Sequence, residues 1–356
     1  MPGHGDLIEF YRNYGASSFA DDEPAYAEVC DQLGQHPELV ELIAAHDSEA
    51  QQPNLLFAAV HYLLLGGLDH PLRQVYDGTL GEPVTPVFAD AVLSNREAID
   101  DLLRNRHTQT NEVGRSAILA LMLNDASLRT HQPLAWLDLG ASGGLNLNID
   151  QFRIDYRIQA RTEVTGASNT ELTLHCEVRS GSPAVSPSHA EIAWRIGVDQ
   201  SPVQVSDPDQ ARWLQACLWP TQPERHARMA SAIEIAHAHP QTVIAADAVD
   251  GVAQALALAP TDAAFVMTTT WVWYYLPEPT QLAVLELLRD SGRQVHWYSL
   301  EGRGVVTELG QPPEREVIDS LIGRVVFGGG ASDNSDVLGL SHPHGAWLDW
   351  YDNNPE

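Results

Sequence analysis

The stretch PLAWLDLGASGGLNL, residues 133–147, decides the fold class. Residues 134–139 form a short apolar run interrupted only by Asp138, which is typical of a buried strand. Three glycines follow within residues 140–144, and glycine lets a chain turn tightly after a strand. The apolar residues at 145–147 indicate the start of a helix. The stretch therefore predicts a strand, a tight turn and a helix.

Strands and helices alternate after this stretch at the spacing of a doubly wound sheet. Strands are predicted at 192–198, 242–246, 263–268, 294–299, 324–327 and 346–350, and helices at 207–218, 223–237, 252–258, 278–290 and 313–322. The polar segment at about 151–190 is predicted to be an insertion that contains a hairpin. We expect an α/β fold with a mostly parallel, Rossmann-like sheet and an antiparallel last strand.

The first part of the chain has a different character. Residues 37–45, 54–66 and 86–106 carry apolar residues at three- and four-residue intervals, which predicts helices. We therefore expect two domains. Residues 1–130 are predicted to form an all-helical domain that acts as a lid and contacts the substrate, and residues 131–356 the sheet domain.

The charge of the chain excludes several classes of function. The 356 residues include 48 acidic residues and 20 arginines but no lysine, which gives a formal net charge of -28. Without lysine there is no Schiff-base lysine and no phosphate-binding lysine of a P-loop. The acidic charge disfavours nucleic acids and anionic membranes as partners. A small-molecule substrate remains as the expected partner.

The beginning of the printed sequence bears on localisation. Residues 1–10 read MPGHGDLIEF and lack the basic and apolar regions of a secretory signal. The three cysteines are widely spaced and form no C-x-x-C motif, so neither a disulfide framework nor a metal site is predicted. We expect a cytoplasmic protein.

Polar residues follow the predicted strands at the edge where such sheets bind ligands. Asp138 precedes the glycine turn, Asp199 ends the next strand and Asp247 ends the one after it. Gly140 and Gly144 allow close approach of the backbone to a ligand, and an acid at the second strand end is suited to ribose hydroxyls. The set predicts an adenosine-containing ligand, although each aspartate alone is equally typical of a helix cap.

The chemistry of the turn distinguishes between adenosine ligands. The run GASGG at 140–144 departs from the Gly-x-Gly-x-x-Gly pattern of dinucleotide sites. Asp138 beside it would repel a pyrophosphate and attract a sulfonium. The sequence therefore favours S-adenosylmethionine over NAD as cofactor.

The motifs also carry a family resemblance. DLGASGG at 138–144 resembles the first motif of class I S-adenosylmethionine-dependent methyltransferases, with Ser142 where that family usually has glycine. GVDQSP at 197–202 resembles their second-strand motif. Nearly the whole chain is similar to a bacterial family of unassigned function with a methyltransferase-like sheet domain, on QTNEVGR at 109–115, GASGGLNL at 140–147 and RWL at 212–214.

The resemblance implies positions for the strand-end residues, and the place of the other candidates in the sequence indicates theirs. Cofactor contacts are expected from Asp138, Gly140, Ser142, Gly144, Asp199, Asp247 and Thr269. Arg115 either grips a carboxylate of cofactor or substrate, or pairs with Glu112 one helical turn away. Asn111, Glu112 and Tyr14 are the expected substrate contacts. Trp271, Tyr274 and Tyr275 are the catalytic candidates, because aromatic faces stabilise a cation and a tyrosine can orient a nucleophile.

The expected activity is methyl transfer from S-adenosylmethionine to a small molecule. Two alternatives use the same cofactor site: transfer or cyclisation of its aminocarboxypropyl arm, and binding without catalysis. A third alternative is a serine hydrolase, since Gly140-x-Ser142-x-Gly144 also matches a nucleophile elbow.

Overall fold

The structure is a computed structural model that describes residues 4–19, 22–48, 50–81, 83–166, 168–310, 319–328 and 333–351. It divides into two compact units. The helical unit comprises Met1–Thr110 and Ser206–Ala227, and the sheet unit comprises Asn111–Val205 and Arg228–Glu356. The division differs from the expected boundary at residue 130, since residues 111–130 belong to the sheet unit.

Most of the helices lie where the periodic segments of the sequence predicted them. They are α1 (His4–Ser18), α2 (Pro24–Gln32), α3 (Pro37–Ala44), α4 (Pro53–Leu65), α5 (Leu72–Tyr76), α6 (Val84–Ser94), α7 (Arg96–Asn105), α8 (Ser116–Thr130), α9 (Pro208–Ala216), α10 (Pro223–Ala238), α11 (Ala248–Leu258) and α12 (Glu278–Asp290). Among the described residues, none of these helices has the length and apolar character needed to cross a membrane.

The helical unit contains α1–α7, α9 and the start of α10 around one apolar core. Phe57 of α4 lies in this core, stacked on Tyr26 at 3.8 Å between ring centroids and edge-on to Phe88 of α6. The helix expected at 86–106 is two helices, because Asn95 (φ -120°) leaves the helical conformation between α6 and α7.

The strands of the described chain form one sheet. They are β1 (Leu134–Leu139), β2 (Arg153–Ile158), β3 (Arg161–Thr165), β4 (Thr173–Ser180), β5 (Ile192–Asp199), β6 (Val243–Ala245), β7 (Ala264–Thr270), β8 (Val295–Gly302), β9 (Ser320–Phe327), β10 (Asn334–Ser341) and β11 (Trp347–Trp350). Their order across the sheet is β3-β2-β4-β11-β10-β9-β8-β7-β1-β5-β6.

The centre of this sheet confirms the expected α/β class with a mostly parallel sheet. Strands β6, β5, β1, β7 and β8 are neighbours and all parallel. After β1 the chain reaches β5 and β6 on one side, and it then continues with β7 and β8 on the other side. The direction of strand order therefore reverses between β1 and β7, which is where open α/β sheets bind ligands.

The other half of the sheet is built differently. The segment expected as an insertion contributes the antiparallel β2–β3 hairpin and β4, and all three extend the main sheet. Strands β8 to β11 follow one another as antiparallel neighbours. The last strand, β11, is antiparallel to β10 as expected but parallel to β4 on its other side.

The prediction of a helix at 313–322 is wrong for the residues of this segment that the structure describes. Residues 313–318 lie outside the described residues, and Ser320 begins strand β9. The reason is the apolar sequence SLIGRVVF, which pairs with β8 on one side and β10 on the other. A run buried in this way is typical of a central strand.

Candidate active site at the carboxyl ends of the central strands

The glycine turn after β1 has the left-handed conformations that its glycines permit. Gly140 has φ +81° and Gly144 has φ +68°. The N–H groups of Gly140 and Ala141 donate to the carbonyl oxygen of Val198 in β5, at 2.7 and 3.1 Å. A short 3-10 helix, Leu145–Gln151, follows in place of a longer helix. The turn is thus fixed to the neighbouring strand.

Asp199 holds the same turn through its side chain. Its Oδ2 accepts a hydrogen bond from the backbone N–H of Ser142 at 2.8 Å, and its Oδ1 accepts one from Ser201 at 2.9 Å. The side chain is half-buried at the carboxyl end of β5. Each carboxylate oxygen has a second lone pair, so these bonds leave acceptor capacity for a ligand hydroxyl.

Asp138 is a buried acid beside the turn. Its Oδ1 accepts a hydrogen bond from the Thr268 hydroxyl at 2.8 Å, and that hydroxyl oxygen accepts one from the Trp136 indole N–H. Burial raises the pKa of Asp138 to about 7, and the Thr268 bond opposes this rise. The charge of Asp199 raises the pKa further, whereas the charge of Arg115 lowers it.

Arg115 is a buried cation at the same edge of the sheet. Its Nε donates to the carbonyl oxygen of Pro343 at 2.9 Å and its Nη1 donates to that of Thr270 at 3.2 Å. The guanidinium carbon lies 6.0 Å from the centroid of the Trp271 ring. Arg115 thus lies next to the end of β7. Its two acceptors are neutral carbonyl oxygens, so these bonds do not neutralise its positive charge.

Glu301 is a residue of this edge that the sequence did not single out. It is 1 % exposed near the end of β8, and its Oε1 accepts hydrogen bonds from the N–H groups of Val272 and Trp273, both at 3.1 Å. Within the described part of the chain its Oε2 has no hydrogen-bond partner. Burial raises the pKa of Glu301 to about 7, against the backbone hydrogen bonds of residues 272–274 and the Arg115 charge.

Asp138, Arg115 and Glu301 therefore form one electrostatic group. The two acids are on β1 and β8, and the cation binds the end of β7 between them. Arg115 favours the charged form of both acids, while burial favours the neutral form. Acids whose pKa lies near neutrality can exchange protons at physiological pH, which is typical of functional sites.

The aromatic candidates differ in their surroundings. Trp271 is half-buried with φ +58°, and its indole N–H donates to the Ser320 hydroxyl at 2.9 Å. Tyr274 and Tyr275 are 65 % and 73 % exposed in the short 3-10 helix that follows. Thr269 is fully buried, and its hydroxyl oxygen accepts a hydrogen bond from Trp297.

Asp247 lies at the carboxyl end of β6 as an exposed helix cap. Its Oδ1 accepts a hydrogen bond from the N–H of Asp250 at 2.9 Å in the first turn of α11. This is the capping role that an isolated aspartate most often has at a helix start.

Two of the expected substrate residues bond backbone N–H groups, Asn111 just after the glycine turn and Glu112 just before α8. Asn111 Oδ1 accepts a hydrogen bond from the Leu145 N–H at 3.1 Å, and Glu112 Oε1 accepts one from Gly114 at 3.0 Å. Glu112 thus caps the short 3-10 helix, Val113–Arg115, that precedes α8. Tyr14 lies in the helical unit, where its hydroxyl accepts a hydrogen bond from Asn54 at 2.7 Å.

Replacing Ser142 with glycine tests whether its side chain is needed. Ser142 has φ +52°, a conformation that costs other residues about 1–2 kcal/mol and glycine nothing. Its bond to Asp199 uses the backbone and survives the change. Relief of this cost is opposed by the greater freedom of glycine in the unfolded chain, about 0.5–1 kcal/mol, so we expect the free energy of unfolding to change by less than about 1 kcal/mol in urea titrations. A larger loss would show that the hydroxyl supports the turn.

The comparisons with known proteins identify a family. The family model described as "Uncharacterized protein conserved in bacteria (DUF2332)" matches residues 9–350. No curated protein and no solved structure matches the chain. Since the match covers nearly all of the sequence, the chain belongs to this bacterial family.

Proposed function

We propose that the protein is an S-adenosylmethionine-dependent transferase, most simply a methyltransferase that acts on a small molecule. The observation that carries the proposal is the glycine turn after β1, at the point where strand order reverses, with Asp138 and Asp199 on either side. In this proposal the central strands form a Rossmann-like methyltransferase sheet. A cationic ligand with a ribose fits two acids at this position better than a pyrophosphate does.

The residues of the turn have separate roles in this proposal. Gly140 and Gly144 bring the backbone close to the cofactor, and Asp199 accepts the ribose hydroxyls with its remaining lone pairs. Asp138 offers a carboxylate to the positively charged end of the cofactor. A bound cation would lower the pKa of Asp138 and hold it in its charged form.

When bound, the cofactor would supply an electrophilic methyl group on a sulfonium. The chain's contribution is to align the nucleophile and to accept a proton where the nucleophile carries one. Without lysine, the proton acceptor must be an acid, a histidine or a tyrosine. Tyr274 and Tyr275, which are exposed, are the candidates for this step. Glu301 is 1 % exposed and fixes the backbone of the loop after β7. Trp271 in that loop offers an aromatic face for a cation.

Calorimetry with S-adenosylmethionine and its demethylated product tests the proposal. We expect saturable binding by the wild type and at least tenfold weaker binding by Asp199→Asn, since one charged hydrogen-bond acceptor contributes about 1.5–3 kcal/mol. Asp250→Asn is the charge-matched control, because Asp250 is exposed in α11. Absence of binding, or equal binding by Asp199→Asn, would contradict the proposal.

Product analysis separates the two reactions that the same cofactor allows. Methyl transfer leaves S-adenosylhomocysteine, whereas transfer of the aminocarboxypropyl arm leaves methylthioadenosine. Saturable binding without turnover of any offered small molecule would instead indicate a protein that binds the cofactor without catalysis.

The left-handed Ser142 also favours a second candidate, a serine hydrolase. A nucleophile elbow places its serine on a strained turn between a strand and a helix, and Ser142 has φ +52°. The side chain is 4 % exposed, however, and the elbow of a hydrolase presents its hydroxyl to the substrate. Labelling by a fluorophosphonate that is lost in Ser142→Ala would establish the hydrolase and overturn the transferase.

A further inference from the structure

A polar cleft lies at the amino ends of the central strands, opposite the carboxyl ends that form the candidate active site. It has a volume of about 290 Å³ and is formed at the amino ends of β7 and β8, with the end of α8 beside it. Its lining includes Arg129, Arg293, His296 and Phe265 together with neutral polar side chains. Among the described residues, its lining contains no aspartate or glutamate, in a chain that has 48 acidic residues. We call it the Arg293 cleft.

The charges around the Arg293 cleft do not cancel. Asp125 accepts hydrogen bonds from Arg129 Nε, at 2.9 and 2.8 Å, and from Arg324 at 3.2 Å. Arg324 also pairs with Asp336, so these two cations and two acids balance. Arg293 donates to the carbonyl oxygens of residues 260 and 263, at 3.1 and 2.7 Å. These carbonyls are neutral, and no described carboxylate forms an ion pair with Arg293, so they leave its positive charge uncompensated.

A buried imidazole with an unused nitrogen lines the same cleft. His296 is 6 % exposed, and its Nε2 bonds the amide oxygen of Gln294 at 3.2 Å. Its Nδ1 has no hydrogen-bond partner among the described residues. Burial lowers the pKa of His296 to about 4, and the charges of Arg324 and Arg129 lower it further while Asp125 raises it. An unpaired buried polar atom is costly unless something binds it.

We propose that the Arg293 cleft binds a small metabolite through an oxyanion group, either a phosphate or a carboxylate. Arg293 supplies the net positive charge, and Arg129, which bonds Asp125 through its Nε, adds further guanidinium N–H donors. His296 uses its Nε2–H on Gln294, so its Nδ1 donates to the oxyanion only after taking up a proton, which a bound anion favours. The volume lies just below the range of about 300–1,000 Å³ for small-molecule sites, so the cleft suits a small ligand. Phe265 is fully buried beneath the Arg293 guanidinium, 5.1 Å from its ring centroid, and helps to hold that cation in place. This site is independent of the proposed transferase activity.

Titration with inorganic phosphate tests the proposal on the full chain at constant ionic strength, with chloride as the reference anion. We expect one saturable site in the wild type. Gln132→Glu adds a negative charge at the exposed rim of the cleft without removing a contact, and we expect about tenfold weaker binding. Arg129→Gln should weaken binding by a similar factor. Gln254→Glu, an exposed change in α11 away from the lining, should bind as the wild type does.

Two further measurements complete the test. Bound phosphate should raise the midpoint of the His296 imidazole titration in NMR spectra, because an anion favours the protonated ring. Competition by acetate would assign a carboxylate ligand, and its failure to compete would assign a phosphate. Absence of saturable binding, an unchanged His296 midpoint, or equal weakening by Gln132→Glu and Gln254→Glu would overturn the proposal.

Discussion

Gly140→Ala is expected to lower the free energy of unfolding by about 3 kcal/mol. It should also abolish binding of the proposed cofactor, S-adenosylmethionine, at the turn after β1. Gly140 has φ +81°, which costs a residue with a Cβ about 1–2 kcal/mol. The new Cβ would also lie 2.5 Å from Cγ2 and 2.6 Å from Cβ of Val272, so the loop after β7 must move, at a cost of about 1–3 kcal/mol. Urea titration and cofactor calorimetry measure the two effects.

Gly292→Ala is the matched control for this change. Gly292 also has a left-handed φ, of +71°, but a Cβ there would meet nothing within 4 Å. We expect Gly292→Ala to cost only the conformational part, about 1–2 kcal/mol. If both variants lose the same stability, the contact with Val272 is not a constraint on the turn.

Asp138→Asn is expected to remove a loss of stability that the wild type undergoes as the pH rises. The pKa of Asp138 is about 7 in the folded protein and near 3.8 in the unfolded chain. The unfolded chain therefore loses its proton first, and the wild type loses stability as the pH rises from about 4 to 7. The loss approaches 1.4 kcal/mol per pH unit, or on the order of 4 kcal/mol in total.

The asparagine variant lacks this loss and keeps an oxygen to accept the Thr268 hydrogen bond. Relative to the wild type, it should gain stability steadily between pH 4 and pH 7 in urea titrations. A difference between the two proteins that stays constant across this range would show that Asp138 is charged throughout.

Asp150→Asn serves as the control, because its effect should have the opposite sign and should change only below about pH 4. Arg195 lies beside Asp150 at 2.6 and 2.8 Å, and its hydrogen bonds lower the pKa of this acid against the effect of burial. Its charged form stabilises the fold above about pH 4, and this contribution disappears as the pH falls. The variant should therefore be less stable than the wild type at pH 8, by under about 1 kcal/mol for a partly exposed pair, and equal to it in acid.

Local patterns were enough to predict several elements to the residue. Strand β1 and helix α12 have the expected bounds, since one is a compact apolar run before glycine and the other begins after Pro277 with regular apolar spacing. The long helix at 86–106 could not be divided in advance, because the break at Asn95 interrupts no apolar pattern. The course of β2 to β4 depends on pairing with β11, which lies far along the chain.

The candidate site was predictable in position but less so in detail. The strand-end acids lie where the pattern placed them, yet backbone N–H groups already occupy oxygens of Asp199 and Asp247. Whether backbone N–H groups compete with a ligand for these oxygens depends on the loop conformation, which the sequence pattern does not reveal. Glu301 was missed because its strand was expected to end at 299, and its pKa results from burial and from a distant arginine.

The extended sheet has a consequence for the behaviour of the protein in concentrated solution. Its two outer strands are β3 and β6, and an unpaired strand edge can add a strand from another molecule. Strand β6 has only three residues, and β3 carries the Arg161–Glu163 ion pair at 2.8 Å. Short or charged outer strands oppose edge-to-edge association, so both edges of the eleven-stranded sheet that the described residues form are protected against growth into aggregates.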